Sequence, residues 1–190
     1  MVTFGKIGAT SHVRRLDAFL NVRNIRARMF PRAEMSGSGA GLPVKKLKIL
    51  VAEDDFALCE VLKVMFKESC AGSEILEAAD GLAALDLAKK IPSGSLNIGF
   101  IDTRMAGKNG FDVCKELRTI HPSVYLILKS GVVNERHLIF KDEGIVDAVF
   151  ETRNLSLNLE PLIKEAVDTA NARLSAADND SPADPKPKNV

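Results

Sequence analysis

Apolar positions along this chain fall into short continuous runs and into longer stretches with helical spacing. Residues 47–52 form an almost continuous apolar run that stops at three acids, Glu53, Asp54 and Asp55. A second such run, 97–101, stops at Asp102 and is followed by a Gly/Asn-containing loop that reaches Gly110. Short runs of this kind predict buried strands, with further strands over 74–79, 124–128 and 145–150. Between them the period changes to that of a helix. Leu58, Val61, Leu62 and Met65 fall at i, i+3, i+4 and i+7, which predicts a helix over 56–69. Further helices are predicted over 82–91, stopping before Pro92, over 110–120, stopping at His121-Pro122, and over 134–143, capped by Gly144. The last spans 157–174.

Five such units, with strands apolar on both faces, predict a parallel sheet covered on both sides. The handedness of βαβ crossovers makes this a doubly wound α/β sandwich of five parallel strands. Folds of that class bind ligands at the carboxyl ends of the strands, where the strand order reverses. The marked polar residues fall at those ends: Glu53 and Asp54 after the first strand, Asp102 at the third, and Ser130-Gly131 after the fourth. Three carboxylates at one edge repel one another unless a cation neutralises them. Mg²⁺ suits oxygen ligands and phosphate chemistry. A carboxylate presented there can also act as a nucleophile. Asp55, just before Phe56, suits the cap of the first helix.

The flanks read differently. Residues 1–44 carry Lys6, Arg14, Arg15, Arg23, Arg26, Arg28 and Arg32 against Asp17 and Glu34, and end in a Ser36-Gly37-Ser38-Gly39-Ala40-Gly41 linker. This extension is expected to be basic and flexible. Three readings of it stand open: translation beginning at Met35, a solvated basic arm, or a targeting or binding segment, Arg-rich as organelle transit peptides are. It has no apolar core of a secretory signal. Residues 175–190 are Pro- and Asp-rich without apolar bulk, which predicts a disordered tail. The domain is thereby expected over 45–174.

Composition narrows the function little. Over 190 residues, 46% hydrophobic content supports a core, and a net charge of +1 argues neither for nor against nucleic acid. One Tyr and no Trp leave little for stacking on bases. Cys59, Cys70 and Cys114 have no metal or disulfide spacing and are expected to be free buried thiols in a reducing compartment. His12, His121 and His137 are not at ligand spacing. No apolar run reaches the roughly 18 residues that a membrane helix needs.

With these residues in place, the stretch 45–174 resembles a two-component response-regulator receiver domain, of the chemotaxis-regulator type. The resemblance is carried by Glu53-Asp54, by Asp102 with Met105 and Gly110 after it, and by Ser130-Gly131. The segments from Asp80 to Leu85 and from Phe111 to Arg118 are also similar to the family. It implies a flavodoxin-like (βα)5 fold in three layers. It also implies that Asp102 accepts a phosphoryl group from a histidine kinase or histidine phosphotransfer protein. Mg²⁺ would be held by Asp54, Asp102 and the backbone carbonyl of Arg104, with Glu53 acting through water. Ser130 would hydrogen-bond a phosphoryl oxygen, and the Arg104 side chain would tune the lifetime of the acyl phosphate. The implied protein is a cytoplasmic phosphoprotein without enzymatic output beyond its own phosphorylation and dephosphorylation. With no DNA-binding domain and no membrane segment expected, it would signal to a downstream protein through its helix 4–strand 5–helix 5 face.

Several positions depart from the family. Glu151 stands where the fifth strand usually ends in Lys, and Thr152 follows it. Ala148 stands at the aromatic switch position, and Ala106 replaces a proline. Lys129 replaces an apolar residue of the fourth strand. Strand alternation points it away from the face of Ser130, and its stem is expected to carry the ammonium to the rim. Arg153 shares the side of Glu151 and is a candidate for the missing cation. These departures keep a second function open: a pseudo-receiver that acts as an interaction module without phosphorylation. An aspartate-nucleophile phosphatase is disfavoured, because its general acid two residues after the nucleophile would be Arg104. A flavin or dinucleotide site lacks its Gly-rich loop.

Overall fold

The computed structural model describes residues 46–179. Five strands are present: β1 (Lys48–Ala52), β2 (Glu74–Ala78), β3 (Ile98–Asp102), β4 (Tyr125–Ser130) and β5 (Ala148–Glu151). They alternate with α1 (Phe56–Ser69), α2 (Gly81–Lys90), α3 (Gly110–Ile120), α4 (Glu135–Asp142) and α5 (Leu155–Asn179), and a 3₁₀ turn (Thr152–Asn154) leads into α5. All strand pairs are parallel, in the order β2-β1-β3-β4-β5. The expected doubly wound sandwich is therefore present, with the reversal of strand order between β1 and β3.

Strands β1, β3 and β4 are buried along nearly their whole length, which is why they read as apolar runs without alternation. Leu50 and Ala52 pack with Ala84, Leu85, Cys114, Leu117 and Phe140 on the face covered by α2, α3 and α4. The other face is covered by α1 and α5, which pack on each other. Polar residues then set the helix starts. Asp55 Oδ1 accepts from the N–H groups of Ala57 at 2.9 Å and Leu58 at 3.2 Å. Asp80 caps α2 through the Ala83 N–H, and Asn109 caps α3 through the Asp112 N–H. Gly144 ends α4 at φ +70°, a left-handed conformation that glycine adopts without strain.

The last helix departs from expectation. It begins two residues before 157 and runs to Asn179 instead of stopping at 174. The expected tail thus contributes its first five residues to a helix, since Ser175-Ala176-Ala177 can extend a helix that is already packed. The extension over 1–44 and the remainder of the tail lie outside the described residues. Cys59, Cys70 and Cys114 are buried, and none of them is in a disulfide.

At the amino end of the sheet, Asp147 ties four elements together. Its Oδ2 accepts from the Leu126 N–H at 2.8 Å and from Arg118 of α3 at 2.7 Å. Its Oδ1 accepts from Arg173 of α5 at 2.7 Å. Burial pushes this carboxyl up, but the bonds from Arg173, Leu126 and Arg118 outweigh it and hold the pKa below its ordinary value. A depressed carboxylate stabilises the fold above its unfolded pKa, and that contribution disappears as pH falls through the folded pKa. Asp147→Asn is expected to cost about 2–3 kcal/mol at pH 7. In urea unfolding, the gap between parent and variant should shrink as the pH drops below about 4.

Candidate functional site at the carboxyl edge of the sheet

Strand β1 releases Glu53 and Asp54 at the point where β1 and β3 diverge, and β3 ends in Asp102. Carboxylate oxygens from Glu53, Asp54 and Asp102 all lie within 4.8 Å of one another. The three acids singled out in the sequence are therefore one cluster. Asp54 is exposed, whereas Glu53 and Asp102 are only 3% and 6% exposed. Asp102 Oδ1 accepts from the Arg104 N–H at 3.3 Å, and Glu53 Oε1 from the Asp55 N–H at 3.2 Å.

The cation within the cluster is Lys129. Its Nζ lies 2.9 Å from Glu53 Oε1, 2.8 Å from Glu53 Oε2 and 3.1 Å from Asp102 Oδ2. The Oε2 contact is one of charge, without the angles of a hydrogen bond, and Oε2 has no other partner. Lys129 is 8% exposed, so its ammonium does not reach the rim. The expectation failed on register and not on alternation. Lys129 does face away from Ser130, but it is the cross-strand partner of Asp102, and paired residues of parallel strands share a face. Its stem therefore folds over the strand end into the acids. Arg153, the candidate for the missing cation, is instead exposed on the 3₁₀ turn.

The electrostatics follow from this packing. Burial works against the Lys129 ammonium, but the hydrogen bond and charge of Glu53 and the charge of Asp102 outweigh it and raise the pKa above its ordinary value. Burial pushes the Glu53 carboxyl up, with Lys129 opposing and the charge of Asp102 adding to the rise. Glu53 is thus a buried acid that depends on a cation.

The surrounding backbone is pinned. Thr103 N–H and Oγ1 both donate to the Lys129 carbonyl, at 2.8 and 2.6 Å, and His137 Nε2 of α4 lies 3.2 Å from that hydroxyl. Burial lowers the His137 pKa, and the charge of Arg136 acts in the same direction. Neither Thr103 nor His137 was singled out in the sequence as part of the site. Nothing in local spacing joins residues from β3, β4 and α4.

Glu151 also behaves differently from a simple replacement of Lys by acid. Its Oε1 lies 3.4 Å from the Val133 N–H, while Thr152 Oγ1 donates to the Ser130 carbonyl at 3.1 Å. The end of β5 thereby holds the β4–α4 loop. The Ser130 hydroxyl donates to the Val132 carbonyl at 2.8 Å and must rotate out of that turn to serve another oxygen. Ala148 is buried beside Ile127 and carries no ring.

The residues fit a divalent cation in donor chemistry, since three hard carboxylates converge and one buried oxygen lacks a hydrogen-bond partner. The fit carries one condition. Lys129 already holds both oxygens of Glu53, and a dication on the same carboxylate repels it. Two unit charges about 4 Å apart repel by roughly 4 kcal/mol at an effective dielectric of 20, and a dication doubles this.

An open parallel sheet with a carboxylate cluster at its strand-order reversal defines a flavodoxin-like α/β protein with an acidic pocket. The family model for the response regulator receiver domain matches residues 49–154, more than half of the chain. The protein-glutamate methylesterase/protein-glutamine glutaminase of Methanococcus maripaludis is 25% identical over 138 residues, covering 69% of this chain and 37% of that protein. The transcriptional regulatory protein CpxR of Escherichia coli K12 is 35% identical over 81 residues, covering 43% of this chain and 32% of its own. The chain thus spans between 18% and 37% of the length of the curated relatives it matches. Among solved structures, a response regulator receiver domain protein from Clostridium thermocellum superposes with a TM-score of 0.58 at 19% identity, covering 69% of this chain and 98% of that one. This chain belongs to the response regulator receiver domain family. Among the described residues, no helix is long and apolar enough to cross a membrane.

The loop after Asp102 gives a direct test of how the pocket is held. A Cβ on Gly110 would lie 2.1 Å from the Asp102 carbonyl oxygen, a backbone atom that cannot yield. Gly110→Ala is expected to cost about 1–3 kcal/mol in chemical denaturation, by forcing α3 away from the end of β3.

Proposed function

We propose that this protein is a receiver of a two-component phosphorelay that takes a phosphoryl group onto Asp102. The donor is a phosphohistidine of a histidine kinase or histidine phosphotransfer protein. One observation carries the reading: Asp102 stands at the strand-order reversal beside Glu53 and Asp54, with Lys129 Nζ 3.1 Å from its Oδ2. In the transfer, the P–N bond of the donor breaks and a bond forms between phosphorus and an Asp102 oxygen, while the imidazole leaves. Such a transfer depends mainly on positioning and on neutralising the phosphoryl oxygens.

Asp54, Asp102 and the Arg104 backbone carbonyl would hold Mg²⁺, with Glu53 acting through water. When bound, that ion neutralises charge on the phosphoryl oxygens. Lys129 stands where its ammonium can serve an oxygen on the Asp102 side, as the fifth-strand lysine would elsewhere in the family. Ser130 supplies a hydroxyl donor once it leaves the Val132 turn. Arg104 is exposed, with its guanidinium beside Gly131, and so borders the same opening.

The output is a protein contact through the face of α4, β5 and α5. Leu138 and Ile139 of α4 and Val132 of the loop before it are exposed there, which supports a protein partner. The protein works in the cytoplasm.

A second reading is favoured by the same lysine. Because Lys129 already bridges two of the acids, the pocket is held together without phosphorylation, as in a pseudo-receiver that serves as a constitutive interaction module.

The readings separate on incubation with acetyl phosphate or a phosphorylated donor plus Mg²⁺, followed by intact mass. The receiver reading expects a single added phosphoryl group that is lost at alkaline pH, as an acyl phosphate is, and absent from Asp102→Asn. No uptake from either donor in the parent protein contradicts it and leaves the pseudo-receiver.

A further inference from the structure

Lys129 holds Glu53 with both carboxylate oxygens, at 2.8 and 2.9 Å, and reaches Asp102 at 3.1 Å. Glu53 and Asp102 are also two of the three acids whose oxygens converge. The ammonium therefore stands on the same ligands that a divalent cation needs. Mg²⁺ takes oxygens at about 2.0–2.1 Å, directly or through its own waters, and tolerates little distortion of that shell. A lysine nitrogen in contact with both oxygens of Glu53 blocks the approach on that side. The backbone cannot move aside, because the Lys129 carbonyl is fixed by two bonds from Thr103 and the strand is paired in register with Asp102. Only the four-carbon stem can swing.

Charge leads to the same result. Three carboxylates and one ammonium leave two negative charges, which one divalent cation would neutralise. Both cations fit the sum, but not both on Glu53. We infer that Lys129 is a tethered counter-ion that occupies the position of the divalent cation on Glu53 and Asp102, so that metal enters only by displacing the ammonium from Glu53. This rests on the reading that the acid cluster takes a divalent cation. It adds that Glu53 is held by a cation and the pocket is folded without metal, and that metal entry itself moves Lys129 to the Asp102 side.

The test compares the full-length parent with Lys129→Met in EDTA and in saturating MgCl₂, by thermal melting and by calorimetric titration. Melting rises with metal according to the affinity of the folded state. The parent should shift little. The variant should melt low in EDTA, shift upward strongly with Mg²⁺, and bind Mg²⁺ at least about tenfold more tightly than the parent. Equal affinities and equal shifts in the two proteins would show that Lys129 does not contest the metal and would overturn the inference alone. No shift or binding in either would show that the cluster takes no metal, overturning the metal reading together with the inference. A readout on the folded parent does not depend on the Met variant. In ¹³C-lysine NMR, the Lys129 ε-methylene signal, assigned by its absence from Lys129→Arg, should move along the Mg²⁺ binding curve. A Lys129 signal that stays fixed through saturation overturns the displacement. None of these measurements requires phosphorylation.

Discussion

Carboxylates crowded at one edge of a sheet repel one another, and burying two of them removes the water that would screen that repulsion. In this protein the constraint is met from inside, by the ammonium of Lys129 set against Glu53 and Asp102. A buried ion pair is not by itself a strong stabiliser, because desolvation offsets much of the attraction. Its effect is to make the acids dependent on one another. With Lys129 removed, Glu53 would remain a buried charge without its partner.

The fold supplies the positions that make this possible. The chain reverses strand order between β1 and β3, so the ends of those strands diverge and open the pocket. Asp55 and Asn109 start α1 and α3 beside it, and Gly110 lets α3 approach the Asp102 carbonyl. On the far side, Glu151 and Thr152 hold the β4–α4 loop by its backbone. The ammonium at the acids comes from the fourth strand.

Much of this was legible in the chain. Short apolar runs and the 3.6-residue period located all ten main elements of the described residues, and the convergence of Glu53, Asp54 and Asp102 followed from their positions at strand ends. Asp55 and Gly144 were read as caps and are caps. What failed depended on information that no local pattern carries. Alternation within β4 told which way Lys129 points relative to Ser130. Only the register with β3 told that it faces Asp102. The Thr103–His137 contact and the bonds from Glu151 and Thr152 to the β4–α4 loop likewise join elements distant in sequence. The helix α5 outran its expected end because composition alone marks Ser175-Ala176-Ala177 as weakly apolar, without marking it as non-helical.

The central claim is that Glu53 and Lys129 depend on each other in the folded, metal-free protein. A double-mutant cycle measures this directly: urea unfolding in EDTA at pH 7 of the parent, Glu53→Gln, Lys129→Met and the two combined. The account predicts a coupling of about 1–3 kcal/mol, with the double variant more stable than the sum of the single losses implies. Losses that add to within about 0.5 kcal/mol would contradict it, because residues in one buried charge contact do not behave independently.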